Sequence, residues 1–257
     1  MKSNSAAASR WKEYRRLAGR IAPTLVSNRI LYSQVLSDYV STQTIWLDAG
    51  CGHLLLGSSK ADEERDLVQR ARFACGCDGD VEAIRHHRSL VNRVVCDLTA
   101  LPFKPGSFTL ITSNMVVEHL DNPEQVFREF AGLLKPGGVV MVHTPNRWSY
   151  YALLSALVPQ AIKNRIGTMI DGRPPEDYYP VRYRANSPGT LRRLFHDVGL
   201  QEQQVSMYAS DAIFQFLADR MWVRMILRME LYLLKLSLQP GWRFLRLSIC
   251  AVYKKPG

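Results

Sequence analysis

Short apolar runs alternate with amphipathic stretches through the first two thirds of this chain. Ile45–Leu47, 73–78, 92–97, 108–113 and 139–143 are each of strand length, and each is bounded by Gly, Pro, Asp or Asn. Between them lie segments of helical spacing. A polar, acidic run leads into a helix ending near Arg72, Asp80 can cap the next helix, and Pro123 opens one that ends near Leu134. Lys135-Pro136-Gly137-Gly138 reads as a turn. Strand and helix alternating at this spacing predict βαβ units, hence an α/β fold with a mostly parallel sheet. Ser187-Pro188 then caps a helix to about Val198, with 200–208 as a sixth strand and 243–253 as a seventh.

The ends of the chain read differently. Residues 1–9 are small and polar and are expected to be disordered, whereas 10–22 set Trp11, Tyr14 and Leu17 among five basic residues in a basic amphipathic helix. After Pro23 a second helix is expected over about 25–40. The organisation expected is an N-terminal helical arm, 1–43, and a domain over 44–257 with helical insertions at about 147–186 and 211–238. The first insertion has no strand pattern; its aromatics and arginines, Tyr178, Tyr179, Arg182, Tyr183 and Arg184 among them, suit a lid over an aromatic or anionic acceptor. In the second, apolar residues surround nearly the whole helix, and Arg220, Arg224, Arg228 and Lys235 form one narrow stripe. A domain covers only one side of such a helix, so the rest is expected to meet the first insertion, a second subunit, a lipophilic acceptor or an anionic membrane face.

Composition narrows the picture. The 257 residues are 47% hydrophobic and 22% charged, enough for a buried core and unlike a disordered chain. The net charge of +10 favours anionic partners. Five cysteines, none with the two-residue spacing of a metal or redox motif, suit a reducing, cytoplasmic setting. There is no apparent signal peptide, no membrane-spanning run and no metal-ligating cluster.

The candidate chemistry sits at the ends of the strands. Thr44–Gly52 reads TIWLDAGCG: a strand, then Asp48 at its tip, then Gly50 and Gly52 in a sharp turn where a ligand can approach bare backbone. The next two strands also end in aspartate, at Asp78 and Asp97. In an open parallel sheet these tips share one edge, where ligands bind, so the three carboxylates are expected to converge on a nucleoside-sized site. His53, His119 and His143 belong to the same edge, while His86, His87 and His196 fall in helices and are expected to face solvent.

These residues resemble the class I S-adenosylmethionine-dependent methyltransferases, most closely the small-molecule branch that includes ubiquinone-biosynthesis enzymes. The runs that carry the resemblance are WLDAGCG, CDLTALPFKPGSFTLITSNMVVEHLDNP and LLKPGGVVMVHTPN. It implies a Rossmann-like seven-stranded sheet flanked by helices, the last strand antiparallel. It implies that Asp48, Gly50 and Gly52 line the methionine end of S-adenosylmethionine, that Asp78 takes the ribose hydroxyls, that Asp97 and Leu98 take the adenine, and that Asn114 lies under the methionyl portion. Leu54 stands where that family has a third glycine. For an oxygen acceptor a base is useful, and His119 and His143 rank ahead of His53 as catalytic candidates. The function expected is methyl transfer to a small, lipophilic or glycoconjugate acceptor, with a homodimer or membrane contact through 211–238. Two alternatives stand beside it: an RNA methyltransferase, disfavoured because no nucleic-acid module or Asn-Pro-Pro-Tyr-type tetrapeptide is present, and a non-catalytic methyltransferase-like scaffold.

Overall fold

The computed structural model describes residues 2–26, 28–57, 60–156, 180–209 and 221–257. The expected lid residues Tyr178 and Tyr179, and 211–220 of the second insertion, lie outside them. The described chain forms two compact units.

The larger unit, Arg29–Pro145, Pro180–Ser206 and Ile249–Gly257, holds most of a seven-stranded sheet. Its strands are β1 (Ile45–Ala49), β2 (Phe73–Asp78), β3 (Asn92–Val95), β4 (Phe108–Asn114), β5 (Leu134–Pro145), β6 (Gln201–Tyr208) and β7 (Ser248–Lys254), in the order β3-β2-β1-β4-β5-β7-β6. The four strands to one side of β5 join it through parallel pairings. β7 runs antiparallel. The carbonyl of Lys255 past its end accepts from Gly137 N–H and its N–H donates to Gly138 O, both near the start of β5. Order reverses between β1 and β4, which places a crevice at their carboxyl ends.

Trp46, Leu47, Leu110, Ile111 and Met141 are almost fully buried in the central strands. On one face Phe127 stacks on Phe195 (4.2 Å between ring centres), and Phe195 on Tyr253 (4.3 Å). Phe127 comes from α5 (Pro123–Leu133), which Asn122 caps by accepting the Gln125 N–H at 3.1 Å. Asp80 caps the short α4 (Val81–Arg85) in the expected way.

Three local readings change. The chain is helical from Lys2, as α1 (Lys2–Ile21), because the Ala6–Ala8 run extends the amphipathic helix N-terminally instead of leaving a loose tail. Lys135–Gly138 is drawn into β5 as an irregular first stretch, because Lys255 supplies partners for its backbone and the Lys255 ammonium also binds Ala131 O and Leu134 O. His87 is buried, and its Nδ1 accepts the N–H groups of Ser89 and Leu90 at 3.2 and 3.1 Å. It closes the turn after α4, and burial lowers its pKa to about 4.

The smaller unit consists of the described parts of Met1–Asn28, Asn146–Tyr179 and Met207–Ser248. Here α1 packs Tyr14, Leu17 and Ile21 against Leu227, Leu231 and Leu234 of a long helix, Met221–Ser237. Asn146 ties the following segment down through Phe244 O and Arg246 O, and Tyr150 donates to buried Glu230 at 2.7 Å. No helix among the described residues is long and apolar enough to cross a membrane.

Candidate active site

β1 ends at a buried carboxylate. The Trp46 indole N–H can only donate, and it donates to Thr112 Oγ1 at 2.6 Å; the Thr112 hydroxyl proton therefore goes to Asp48 Oδ1. Asp48 is 3% exposed, and desolvation, reinforced by Glu64 and Asp78, raises its pKa to about 7 against the pull of the Thr112 bond. The backbone then turns at Gly50 (φ 77°) and Gly52 (φ 52°). A Cβ on Gly50 would come within 2.4 Å of Val116, whereas one on Gly52 would meet nothing within 4 Å. The first glycine is thus needed for packing and φ together; the second offers bare backbone to open space.

The turn is clamped to the tip of β2. Gly50 and Cys51 N–H groups both donate to Cys77 O, and Gly52 N–H donates to Asp78 Oδ2 at 2.8 Å. The other Asp78 oxygen accepts from Asp80 N–H at 2.9 Å. Each carboxylate oxygen keeps a second lone pair, so two hydroxyls can still be accepted. Beyond it, Asp97 is exposed, with Oδ1 turned to Thr99 N–H at 2.8 Å.

A cleft of about 580 Å³ opens at this edge. Gly79, Asp97, Leu98 and Thr99 line one side, and His119, Leu120, Asp121 and Asn122 the other. Its volume suits a nucleoside-sized ligand. Of the candidate residues it brings Asp97, Leu98 and His119 together, with Asp78 adjoining through Gly79. Asp48, Gly50, Gly52, Asn114 and His143 are not among its walls. Leu54 is half-buried, while the next two leucines are buried.

The two candidate histidines occupy different settings. His119 follows β4 in a short 3-10 turn, Val117–His119, and its Nδ1 lies 3.0 Å from Pro180 O. A carbonyl only accepts, so the proton sits on Nδ1 and the Nε2 lone pair is basic. Burial holds its pKa below the ordinary imidazole range, partly offset by that bond. His143 is 3% exposed, stacks on Tyr32 at 5.0 Å and lies 2.8 Å from Asn114 Oδ1 through Nδ1. Asn114 Nδ2 donates to Leu55 O at 3.0 Å, which fixes its oxygen as the acceptor toward His143. Burial lowers the His143 pKa to about 4. His143, Asn114 and the loop after the glycine turn therefore form one hydrogen-bonded chain.

Residues 47–142 match a family model described as a methyltransferase domain. By that match this segment is a methyltransferase domain. A protein of Mycolicibacterium smegmatis named a probable S-adenosylmethionine-dependent methyltransferase is 33% identical over 107 residues, 40% of this chain and 39% of that one. A ubiquinone biosynthesis O-methyltransferase of Xanthomonas euvesicatoria is 35% identical over 124 residues, 43% of this chain and 48% of its own. The chain thus spans less than half the length of these curated relatives. Among solved structures, geranyl diphosphate C-methyltransferase from Streptomyces coelicolor shares the fold at 16% identity and a TM-score of 0.53, over 88% of this chain and 77% of that one. The cyclase SpnF shares it equally well, at 13% identity and a TM-score of 0.53, over 88% and 80%. The fold is common to them and the chemistry is not.

Sequence reasoning passed over what holds the domain's first loop. Glu64, on α3 (Ala61–Arg70), is fully buried and accepts the N–H groups of Leu55 and Leu56 at 3.1 and 2.9 Å, the Ser89 hydroxyl at 2.5 Å, and an ion pair from Arg88. Burial would raise its pKa, but Arg88, Ser89 and the backbone donors outweigh that and hold it below the ordinary range. The available signal was an acid three residues before Leu67, on the inner face of α3. A second buried cluster, Glu118–Thr144–Asn186, backs His119: Thr144 donates to Glu118 at 2.9 Å, and Asn186 to Thr144 at 2.5 Å. Burial raises the Glu118 pKa to about 7. No group of metal-ligating side chains is found among the described residues.

Proposed function

We propose that this chain transfers a methyl group from S-adenosylmethionine to a small, lipophilic acceptor. The observation that carries the reading is the cleft at the strand edge, walled by Asp97 and Leu98 on one side and His119 on the other, beside a glycine turn clamped to Asp78. The donor set fits the cofactor: two carboxylates with spare lone pairs for hydroxyl and amino groups, a leucine side chain for a ring face, and open backbone at Gly52. The cofactor supplies an electrophilic methyl group; the chain supplies alignment and exclusion of water. In this reading Asp78 and Asp97 grip the nucleoside, and Asp48 and the glycine turn meet the methionine end. Asn114, held by His143, orders the loop beneath it. His119 is the base, because it is the histidine with a wall of the cleft, a basic Nε2 and a pKa below neutrality. His143 serves as a positioning residue. The name of the Xanthomonas relative, an O-methyltransferase of ubiquinone biosynthesis, favours an oxygen acceptor on a small lipophilic molecule, and the five cysteines, none of them in a disulfide, fit a cytoplasmic setting.

His119→Ala tests the role of the base. It should leave S-adenosylmethionine affinity within about twofold and lower turnover on the acceptor by about a hundredfold, the usual contribution of a general base. A loss below about tenfold means that positioning alone suffices.

A further inference from the structure

The long helix Met221–Ser237 divides its surface into three sectors. Val223, Leu227, Leu231 and Leu234 are buried. At 100° per residue, Met221, Tyr232, Met225, Met229, Trp222 and Leu233 fall in that order within an arc of about 120° on the other side. All six are exposed, Met221, Met225 and Met229 by 84%, 66% and 64%. Between the two sectors, on one flank, Arg224, Lys235 and Arg228 fill an arc of about 40°. Trp242 and Phe244, stacked at 5.9 Å in the following 3-10 turn, Pro240–Leu245, are exposed as well.

Charge is distributed as unevenly. The described residues of this unit carry twelve lysines and arginines against two acids, Glu13 and Glu230. Over its full sequence this unit carries 16 basic and 7 acidic residues and the sheet-bearing unit 17 and 16, so nine of the ten excess charges belong to this unit. The two described acids are engaged internally: Glu230 is buried and accepts from Tyr150, and Glu13 pairs with Arg16 at 3.0 Å.

We propose that the exposed face of Met221–Ser237 rests on an anionic lipid surface. The apolar arc enters the boundary between headgroups and acyl chains, and the basic stripe on its flank meets lipid phosphates. Methionines at four-residue steps present a deformable apolar surface, which suits a fluid partner better than a rigid one. A second copy of the chain fits less well, since a unit with nine uncompensated positive charges repels itself. Nucleic acid would satisfy the arginines but leave Met225, Met229 and Leu233 in water.

Flotation of the full chain with phosphatidylcholine vesicles, with and without phosphatidylglycerol, tests this. Binding is expected only with phosphatidylglycerol, and is expected to weaken as salt rises. Met225→Glu/Met229→Glu should abolish it with an unchanged melting temperature, since both sites are exposed. Arg228→Ser/Lys235→Ser should weaken it by roughly tenfold or more. Absence of flotation at low salt overturns the proposal, as does undiminished flotation of the methionine variant. So does a concentration-dependent dimer, or an RNA complex, formed by a protein that ignores the vesicles.

Discussion

Asp48 is the residue whose environment says most. Its position at a strand tip before Gly-x-Gly is legible in the sequence, but its protonation is not. That depends on Trp46 and Thr112, which reach it from its own strand and from β4, 64 residues further along the chain. A carboxyl raised to about 7 is largely neutral in the cofactor-free domain at mildly acidic pH, while a cationic amine needs it ionised. The sign follows: proton and ligand compete, so affinity for S-adenosylmethionine rises as pH rises through the folded pKa. Between pH 5.5 and 7.5 the gain should be about twentyfold by calorimetry. Asp48→Asn should bind more weakly and lose that slope. A wild-type affinity flat over this range would show that the carboxylate does not meet the ligand's charge. The histidines teach the same lesson. The sequence places His119 and His143 alike on the ligand edge, and only the neighbours Pro180, Asn114 and Tyr32 tell them apart.

At the scale of elements, the sheet was legible nearly strand by strand because each strand is a short apolar run between glycines, prolines and acids. What escaped were features set by distant partners. The Lys135–Gly138 segment looks like a turn until Lys255 from the far end of the chain joins it. The loop after the glycine turn looks anomalous because Leu54 replaces a glycine. Its order comes from Glu64, whose carboxylate binds two backbone N–H groups of the loop and pairs with Arg88. Removing one partner of a buried pair leaves an uncompensated charge. Glu64→Gln should therefore lower stability by about 3 kcal/mol, a fall of roughly 6–12 °C in Tm for a domain of this size. A thermal melt within about 1 °C of wild type would show that the loop is held some other way. Hydrogen exchange at Leu55 and Leu56 should report the same loss locally.

For the whole molecule, charge and apolar exposure separate from the candidate chemistry. Nine of the ten excess positive charges belong to the helical unit, while the sheet-bearing unit carries the cleft, with Asp97 in its wall, and nearly balanced charge. Summed composition concealed this division, because it averages over both. Fold likeness alone leaves the reaction open, as the shared architecture of a methyltransferase and a cyclase shows. The decision falls to the cleft. Titration calorimetry of S-adenosylmethionine into the wild-type chain and Asp97→Ala addresses it directly. A micromolar Kd that weakens by about tenfold or more in the variant, at unchanged Tm, is the expected result. No heat of binding, or equal affinity for both proteins, would contradict the assignment of a nucleoside to that cleft.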